Sequence, residues 1–170
     1  MLTLVVGGAA SGKSEFAENL VLTLPGRRVY VATMEPYDGE CLARIDKHRR
    51  QRAGKGFATL ECYRDLGGLQ VPAGANVLLE CMSNLLANEL YSPQGGATAA
   101  VLEGVACLCA QCAHLTIVTN EVFSGGRDYE GDTLRYLREL GMVNRILAAR
   151  ADRVVEVVCG CPNVLKGRLP

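Results

Sequence analysis

The chain has 170 residues, 49% of them hydrophobic and 21% charged, which is enough apolar material for a globular core and excludes a disordered chain. Lys plus Arg and Asp plus Glu both number 18, so no overall positive field marks a nucleic-acid-binding protein. The length predicts a single domain over residues 1–170, and no run reaches the roughly 18 apolar residues of a membrane span.

Five segments rich in Val, Leu and Ile predict β-strands, at residues 2–6, 28–33, 76–81, 115–119 and 153–159. Helices are predicted between and after them, at residues 13–24, 38–52, 82–90, 98–112 and 132–151. The apolar runs are nearly continuous, as in strands that are covered on both faces. The alternation therefore predicts an α/β, three-layer fold with a mostly parallel central sheet flanked by helices.

The first strand leads into a glycine-rich segment, Gly7-Gly8-Ala9-Ala10-Ser11-Gly12-Lys13-Ser14. It matches the P-loop pattern G-x-x-x-x-G-K followed by Ser or Thr, between a strand and a helix as that motif requires. Lys13 is predicted to reach the β- and γ-phosphates and Ser14 to hold Mg²⁺. A chance glycine-rich turn is the alternative. The segment indicates a P-loop NTPase-like fold that binds ATP or GTP.

Because residues 1–6 carry no basic leader, they are predicted to be a strand and not a signal peptide.

The second predicted helix carries Arg44, His48 and Arg52 four residues apart, which places them in one stripe. Like charges disfavour a protonated imidazole, so His48 is a candidate nucleophile toward phosphorus. Two alternatives stay open, a solvated basic helix face with an incidental histidine and a basic strip for RNA. The absence of Trp and the 5% aromatic content argue against RNA.

The third predicted strand ends in an acid, Glu80, close to where a P-loop protein needs a carboxylate for its metal or for metal-bound water. A helix-capping or solvated carboxylate is the alternative reading of this residue.

Two cysteine groups, Cys107/Cys109/Cys112 and Cys159/Cys161, raise the question of a metal site. On a helix only Cys109 and Cys112 share a face, so the cysteines are predicted to be small buried apolar side chains. Eight cysteines without an export signal indicate reduced thiols and a cytoplasmic protein.

Taken in order, these segments resemble the bifunctional adenosylcobinamide kinase/adenosylcobinamide-phosphate guanylyltransferase family of cobalamin biosynthesis. The resemblance runs from residue 1 to about residue 167. It is carried by Gly7 to Ser14, Tyr30-Val31-Ala32-Thr33, Arg44-Ile45 with His48 and Arg52, Leu78-Leu79-Glu80-Cys81, Val118-Thr119-Asn120-Glu121-Val122, Val143-Asn144 and Ala151-Asp152.

The resemblance implies two reactions. ATP or GTP would phosphorylate adenosylcobinamide, and GTP would then supply GMP through a guanylylated histidine, matched by His48, to give adenosylcobinamide-GDP. It also implies a corrinoid substrate and a homotrimer. A guanylyltransferase without kinase activity and a non-catalytic GTP-binding regulatory protein remain the alternatives.

The site implied by motif and resemblance together has His48, Lys13 and Glu80 as catalytic residues and Ser14 and Glu80 as Mg²⁺ ligands. The nucleotide contacts are Gly7, Gly8, Ala9, Ala10, Ser11, Gly12, Lys13, Ser14, Thr33, Met34, Glu35, Arg49, Arg50, Gln51, Arg52, Glu61 and Glu80.

The chain departs from the family pattern at two places. Lys47 stands where many members have a second histidine, which leaves one candidate nucleophile. The loop after Val122, beginning Phe123-Ser124-Gly125-Gly126-Arg127, lacks the proline of many members.

Overall fold

A computed structural model describes residues 1–123 and 129–169. The strands are β1 (Leu2–Gly7), β2 (Arg28–Ala32), β3 (Phe57–Glu61), β4 (Asn76–Glu80), β5 (His114–Asn120), β6 (Arg153–Val158) and β7 (Cys161–Lys166). The helices are α1 (Lys13–Leu22), α2 (Gly39–Arg52), α3 (Met82–Tyr91), α4 (Ala97–Gln111) and α5 (Gly131–Arg150), with one turn of 3-10 helix at Leu66–Gly68.

The strands form one sheet in the order β3-β2-β4-β5-β1-β6-β7. Every neighbouring pair is parallel except β6 and β7, which are antiparallel. The predicted mostly parallel α/β fold is therefore confirmed.

Neighbouring residues of each central strand point to opposite faces of the sheet and enter different apolar clusters. On one face Leu79 and Ile117 pack in the larger cluster, to which α3, α4 and α5 contribute. On the other face Leu78 and Val118 pack in a cluster that includes Ala17 of α1. Both faces of β4 are buried, which explains its uninterrupted apolar sequence.

The register of the parallel strands brings several chain segments to one edge of the sheet. Glu80, the last residue of β4, pairs with Ala32 of β2 and Val118 of β5. Gly7, the last residue of β1, pairs with Asn120. The P-loop and Glu80 therefore lie at the same edge, separated by β5.

Two strands were not predicted from the sequence. In β3 three of five residues are exposed, and every residue of β7 is exposed. Edge strands with so much exposed surface lack the continuous apolar run by which the other strands were recognised, and β7 contains Pro162. The five predicted helices are confirmed, with ends that shift by one or two residues.

The prediction that the cysteines are buried is wrong for Cys107, Cys159 and Cys161, whose side chains are exposed. Cys109 of α4 and Cys112, which follows the helix, are half-buried against the larger apolar cluster. Within residues 1–123 and 129–169, no three His, Cys, Asp or Glu side chains are grouped to hold a metal ion. No helix in the described parts of the chain is long and apolar enough to cross a membrane.

Candidate active site

The loop from Gly7 to Ser14 closes tightly between β1 and α1. A Cβ on Gly7 would lie 2.6 Å from the carbonyl oxygen of Val157, and Gly12 has a φ of +89° at the N-cap of α1. Both positions therefore require glycine. The turn between β6 and β7 supports the loop from behind, where the Gly160 amide donates to the Ser11 carbonyl at 2.8 Å. The N-terminus of α1, with its partial positive charge, is held at the edge of the sheet.

The Lys13 side chain is 9% exposed and folds back over this loop. Its Nζ donates to the Gly8 carbonyl at 3.0 Å. Burial lowers the pKa of Lys13, while the negative charge of Glu80 acts in the opposite direction. An anionic ligand in the loop would compensate this buried ammonium group.

The Glu80 carboxylate is 8% exposed and has a different partner on each oxygen. Oε1 accepts a hydrogen bond from the Ser14 hydroxyl, and Oε2 accepts one from the Tyr30 hydroxyl at 3.0 Å. Glu80 is therefore neither solvated nor a helix cap. A hydroxyl and a carboxylate in contact are the kind of oxygen donors that Mg²⁺ accepts, so Ser14 and Glu80 fit the predicted ion.

Helix α2 presents His48 to the same carboxylate. The imidazole Nδ1 lies 3.8 Å from Glu80 Oε1, and within the described residues this buried nitrogen has no hydrogen-bond partner. Arg44 and Arg52 line the same cavity as His48, as the predicted stripe requires. The sequence predicted guanidinium groups near the imidazole, and the structure shows that the Glu80 carboxylate also lies near it.

The Arg52 guanidinium is 7% exposed and covers the Tyr30 ring, with its central carbon 3.3 Å from the ring centroid. Nε and Nη1 have no hydrogen-bond partner among residues 1–123 and 129–169. Arg49, in contrast, donates to Glu61 at 3.0 Å. A buried guanidinium with open donors is a suitable place for an anion.

These groups surround one cavity of about 770 Å³. The predicted site residues that line it are Ala9, Ala10, Ser11, Gly12, Lys13, Ser14, Met34, His48, Arg49, Gln51, Arg52, Glu61 and Glu80.

Five residues predicted as nucleotide contacts lie outside the lining: Gly7, Gly8, Thr33, Glu35 and Arg50. The Thr33 hydroxyl both donates to the Cys81 carbonyl and accepts from the Cys81 amide, at 2.8 Å each. Glu35 pairs with Arg64 at 2.9 Å. Thr33 thus holds the backbone of Cys81, which lines the cavity, whereas Glu35 pairs with a residue outside the lining.

Sequence reasoning gave no role to Tyr30 and Asn120, which also line the cavity. Tyr30 was visible as the one aromatic residue in a buried apolar strand. Asn120 was visible as a polar residue that ends the strand next to the P-loop strand. The part of the divergent loop at residues 124–128 lies outside the described residues.

Comparison with known proteins identifies a family and several relatives. The family described as cobinamide kinase / cobinamide phosphate guanyltransferase matches residues 3–165. The bifunctional adenosylcobalamin biosynthesis protein CobU of Salmonella typhimurium is 35% identical, over 94% of this chain and 97% of its own. The protein CobP of Pseudomonas aeruginosa, described in the same words, is 34% identical over 98% of both chains. The solved P4 protein from bacteriophage phi6 in complex with ADP is 11% identical, over 95% of this chain and 53% of its own, with a TM-score of 0.43. That likeness is too distant to bear on function.

Proposed function

The chain belongs to the cobinamide kinase / cobinamide phosphate guanyltransferase family, and from this we propose that it catalyses both reactions on its own. It phosphorylates adenosylcobinamide with ATP or GTP, then transfers GMP from GTP to give adenosylcobinamide-GDP. The observation that carries this proposal is the position of His48, 3.8 Å from the same Glu80 carboxylate that contacts Ser14 of the P-loop. A candidate nucleophile and a triphosphate site thus share one cavity.

In the kinase reaction the loop amides, the N-terminus of α1 and Lys13 hold the triphosphate. Ser14 and Glu80 would hold Mg²⁺, which would neutralise charge on the phosphates. The hydroxyl oxygen of the corrinoid side chain forms a bond to the terminal phosphorus and loses its proton to solvent, and the nucleoside diphosphate leaves with the electrons of the broken P–O bond.

In the guanylyltransferase reaction an unprotonated nitrogen of His48 forms a bond to the α-phosphorus of GTP, and pyrophosphate leaves. A phosphate oxygen of the corrinoid phosphate then attacks the same phosphorus and releases the imidazole. The covalent intermediate divides the displacement between two anions into two steps. Lys13 and the open donors of Arg52 stabilise the charge on the leaving pyrophosphate.

Two measurements test this function. Intact-mass analysis after incubation with Mg²⁺ and α-labelled GTP detects the GMP adduct, and chromatography of the corrinoid after incubation with ATP or GTP detects phosphorylated adenosylcobinamide. We expect a GMP adduct in the wild type and in His114→Ala, because His114 begins β5 at the opposite edge of the sheet. His48→Ala is expected to form no adduct but to phosphorylate adenosylcobinamide. Lys13→Ala is expected to lose both activities.

Three outcomes would count against parts of the proposal. An adduct that persists in His48→Ala removes the covalent role of His48. An adduct without phosphorylation of adenosylcobinamide indicates a guanylyltransferase that lacks kinase activity. Tight GTP binding with neither adduct nor product indicates a non-catalytic regulatory protein.

The proposal includes a homotrimer and a cytoplasmic location, where ATP and GTP are available. Self-association is supported by exposed apolar side chains at the β6–β7 edge, where Val158, Val164 and Leu165 are 51%, 41% and 58% exposed. Light scattering on the protein as it elutes from a size-exclusion column would measure the molar mass of the assembly and hence the number of copies in it.

A further inference from the structure

The centre of β2 contains a tyrosine at a place where packing alone would need only an apolar ring. Tyr30 is 3% exposed and packs with Val5, Leu78 and Val118 on the α1 face of the sheet. Phe57 meets it edge to face, with ring centroids 6.4 Å apart. A buried phenol hydroxyl needs a partner, and the partner here lies in the cavity.

That partner is Glu80, and strand register explains how the two groups meet. Tyr30 pairs with Leu78, so Glu80 is the next residue of β4 on the same face toward the carboxyl edge. The phenol reaches along this diagonal and donates to Oε2 at 3.0 Å. With Oε2 occupied, Oε1 is the oxygen that faces Ser14 and His48.

The same ring also supports Arg52. The guanidinium carbon lies 3.3 Å from the ring centroid, within cation–π distance. Nε and Nη1 have no hydrogen-bond partner within the described residues, so the Tyr30 ring is a contact that holds this buried cation in place. Tyr30 thus contacts Glu80, the candidate Mg²⁺ ligand, with its hydroxyl. It contacts Arg52, the candidate anion-binding residue, with the face of its ring.

We infer that Tyr30 is a positioning residue, which orients Glu80 through its hydroxyl and Arg52 through its ring. The inference rests on the proposed function of the cavity, and neither the P-loop motif nor the histidine-bearing helix contains this residue. Burial, and then the charge of Glu80, raise the pKa of Tyr30 far above its ordinary value.

Two substitutions separate the hydroxyl from the ring. Tyr30→Phe keeps the ring under Arg52 but removes the hydrogen bond to Glu80, whereas Tyr30→Leu removes both contacts. Phe57→Leu is the matched control, because it removes an aromatic neighbour of Tyr30 and leaves both contacts in place. Thermal unfolding of each variant shows that it is folded before binding is measured.

Four quantities are measured on the purified full chain: the Kd of pyrophosphate with Mg²⁺ by calorimetry, the Kd of Mn²⁺ with pyrophosphate present by electron paramagnetic resonance, and the kcat and the KM for GTP in guanylyl transfer to adenosylcobinamide phosphate. Tyr30→Phe is expected to lower kcat about 10-fold and weaken Mn²⁺ binding about 5-fold, since a hydrogen bond to a charged group is lost. Its KM for GTP and its Kd for pyrophosphate should stay within about 2-fold of wild type. Tyr30→Leu should in addition weaken pyrophosphate binding about 5-fold, because the cation–π contact is lost.

Wild-type values of kcat and of the Kd for Mn²⁺ in Tyr30→Phe would overturn the role of the hydroxyl. Equal weakening of pyrophosphate binding in Tyr30→Leu and Phe57→Leu would show that the Tyr30 ring contributes through packing and not through its contact with Arg52. If the wild type forms no adduct and no product, the proposed function fails, and the Mn²⁺ and pyrophosphate affinities still decide the role of Tyr30.

Discussion

Buried polar side chains supply the charges of this cavity. Lys13, Glu80 and Arg52 are each less than a tenth exposed; Lys13 and Glu80 have hydrogen-bond partners, whereas Nε and Nη1 of Arg52 have none within the described residues. Desolvation makes each of these charges costly in isolation and strengthens its interaction with a ligand of opposite sign. The predicted roles of these three residues remain proposals that the experiments above address.

Cys62 allows a prediction of pH-dependent stability at the scale of one side chain. It is 7% exposed, and burial raises its thiol pKa above the ordinary value of 9.0 to about 11, with Asp65 acting in the same direction. Because the folded state holds this proton more tightly than the unfolded chain, the contribution is fully present below pH 9. It is lost as the pH rises toward about 11, and amounts to about 2 kcal/mol.

Urea unfolding of wild type and Cys62→Ala from pH 8 to pH 11 would measure this contribution. The free energy of unfolding of the wild type should fall more steeply than that of the variant, since other titrating groups are common to both. Parallel curves would show that the Cys62 thiol does not have a raised pKa.

At the scale of elements, helix α2 carries the candidate nucleophile, and its first turn depends on one cap. Asp38 accepts a hydrogen bond from the Cys41 amide at 2.8 Å. The last turn is held from the other end, where Arg52 packs on Tyr30. The position of His48 therefore depends on both ends of the helix.

Asp38→Ala is expected to lower the free energy of unfolding by about 1 kcal/mol, as for other lost N-caps. Amide hydrogens of α2 should exchange faster than in the wild type, because the first turn frays. Asp46→Ala is the control, since Asp46 is an exposed aspartate inside the same helix. Equal exchange rates in the two variants would show that Asp38 does not cap α2.

At the scale of the whole molecule, an ion pair joins parts of the chain that are far apart in sequence. Lys55, which follows α2, donates to Glu18 of α1 at 2.6 Å, and the Glu18 side chain is 2% exposed. This pair connects the element that carries His48 to the helix that begins at the P-loop. Breaking it from the lysine side leaves a buried carboxylate without a counter-charge.

Lys55→Met should therefore lower the free energy of unfolding by about 2 kcal/mol, less than for a fully buried pair because Lys55 is 27% exposed. The double variant Glu18→Gln/Lys55→Met should recover most of this loss, since no buried charge remains. Urea unfolding of the three proteins measures both effects. A double variant as unstable as Lys55→Met would show that packing by Lys55, and not charge, is responsible.

Local sequence was sufficient for the parts of the molecule that consecutive residues determine. The P-loop is one such part, because Gly7 and Gly12 are required by the backbone path and Lys13 follows directly in the chain. The five buried strands and the five helices are others, since burial on both faces leaves a continuous apolar run. The family resemblance drawn from these ordered segments is confirmed by the match over residues 3–165. The single domain over residues 1–170 stays a prediction.

Only the tertiary structure decided which side chains meet in the cavity. Tyr30 and Glu80 are 50 residues apart, and their contact depends on the pairing of β2 with β4, which no local pattern specifies. The approach of His48 to Glu80 depends on the path of α2 across the sheet edge. The edge strands β3 and β7 were also identified only from the tertiary structure. They are recognised by their hydrogen bonds to β2 and β6, because their exposed side chains form no continuous apolar run. Sequence thus specified the five buried strands, the five helices and the phosphate loop, whereas long-range strand register specified the contacts among charged groups.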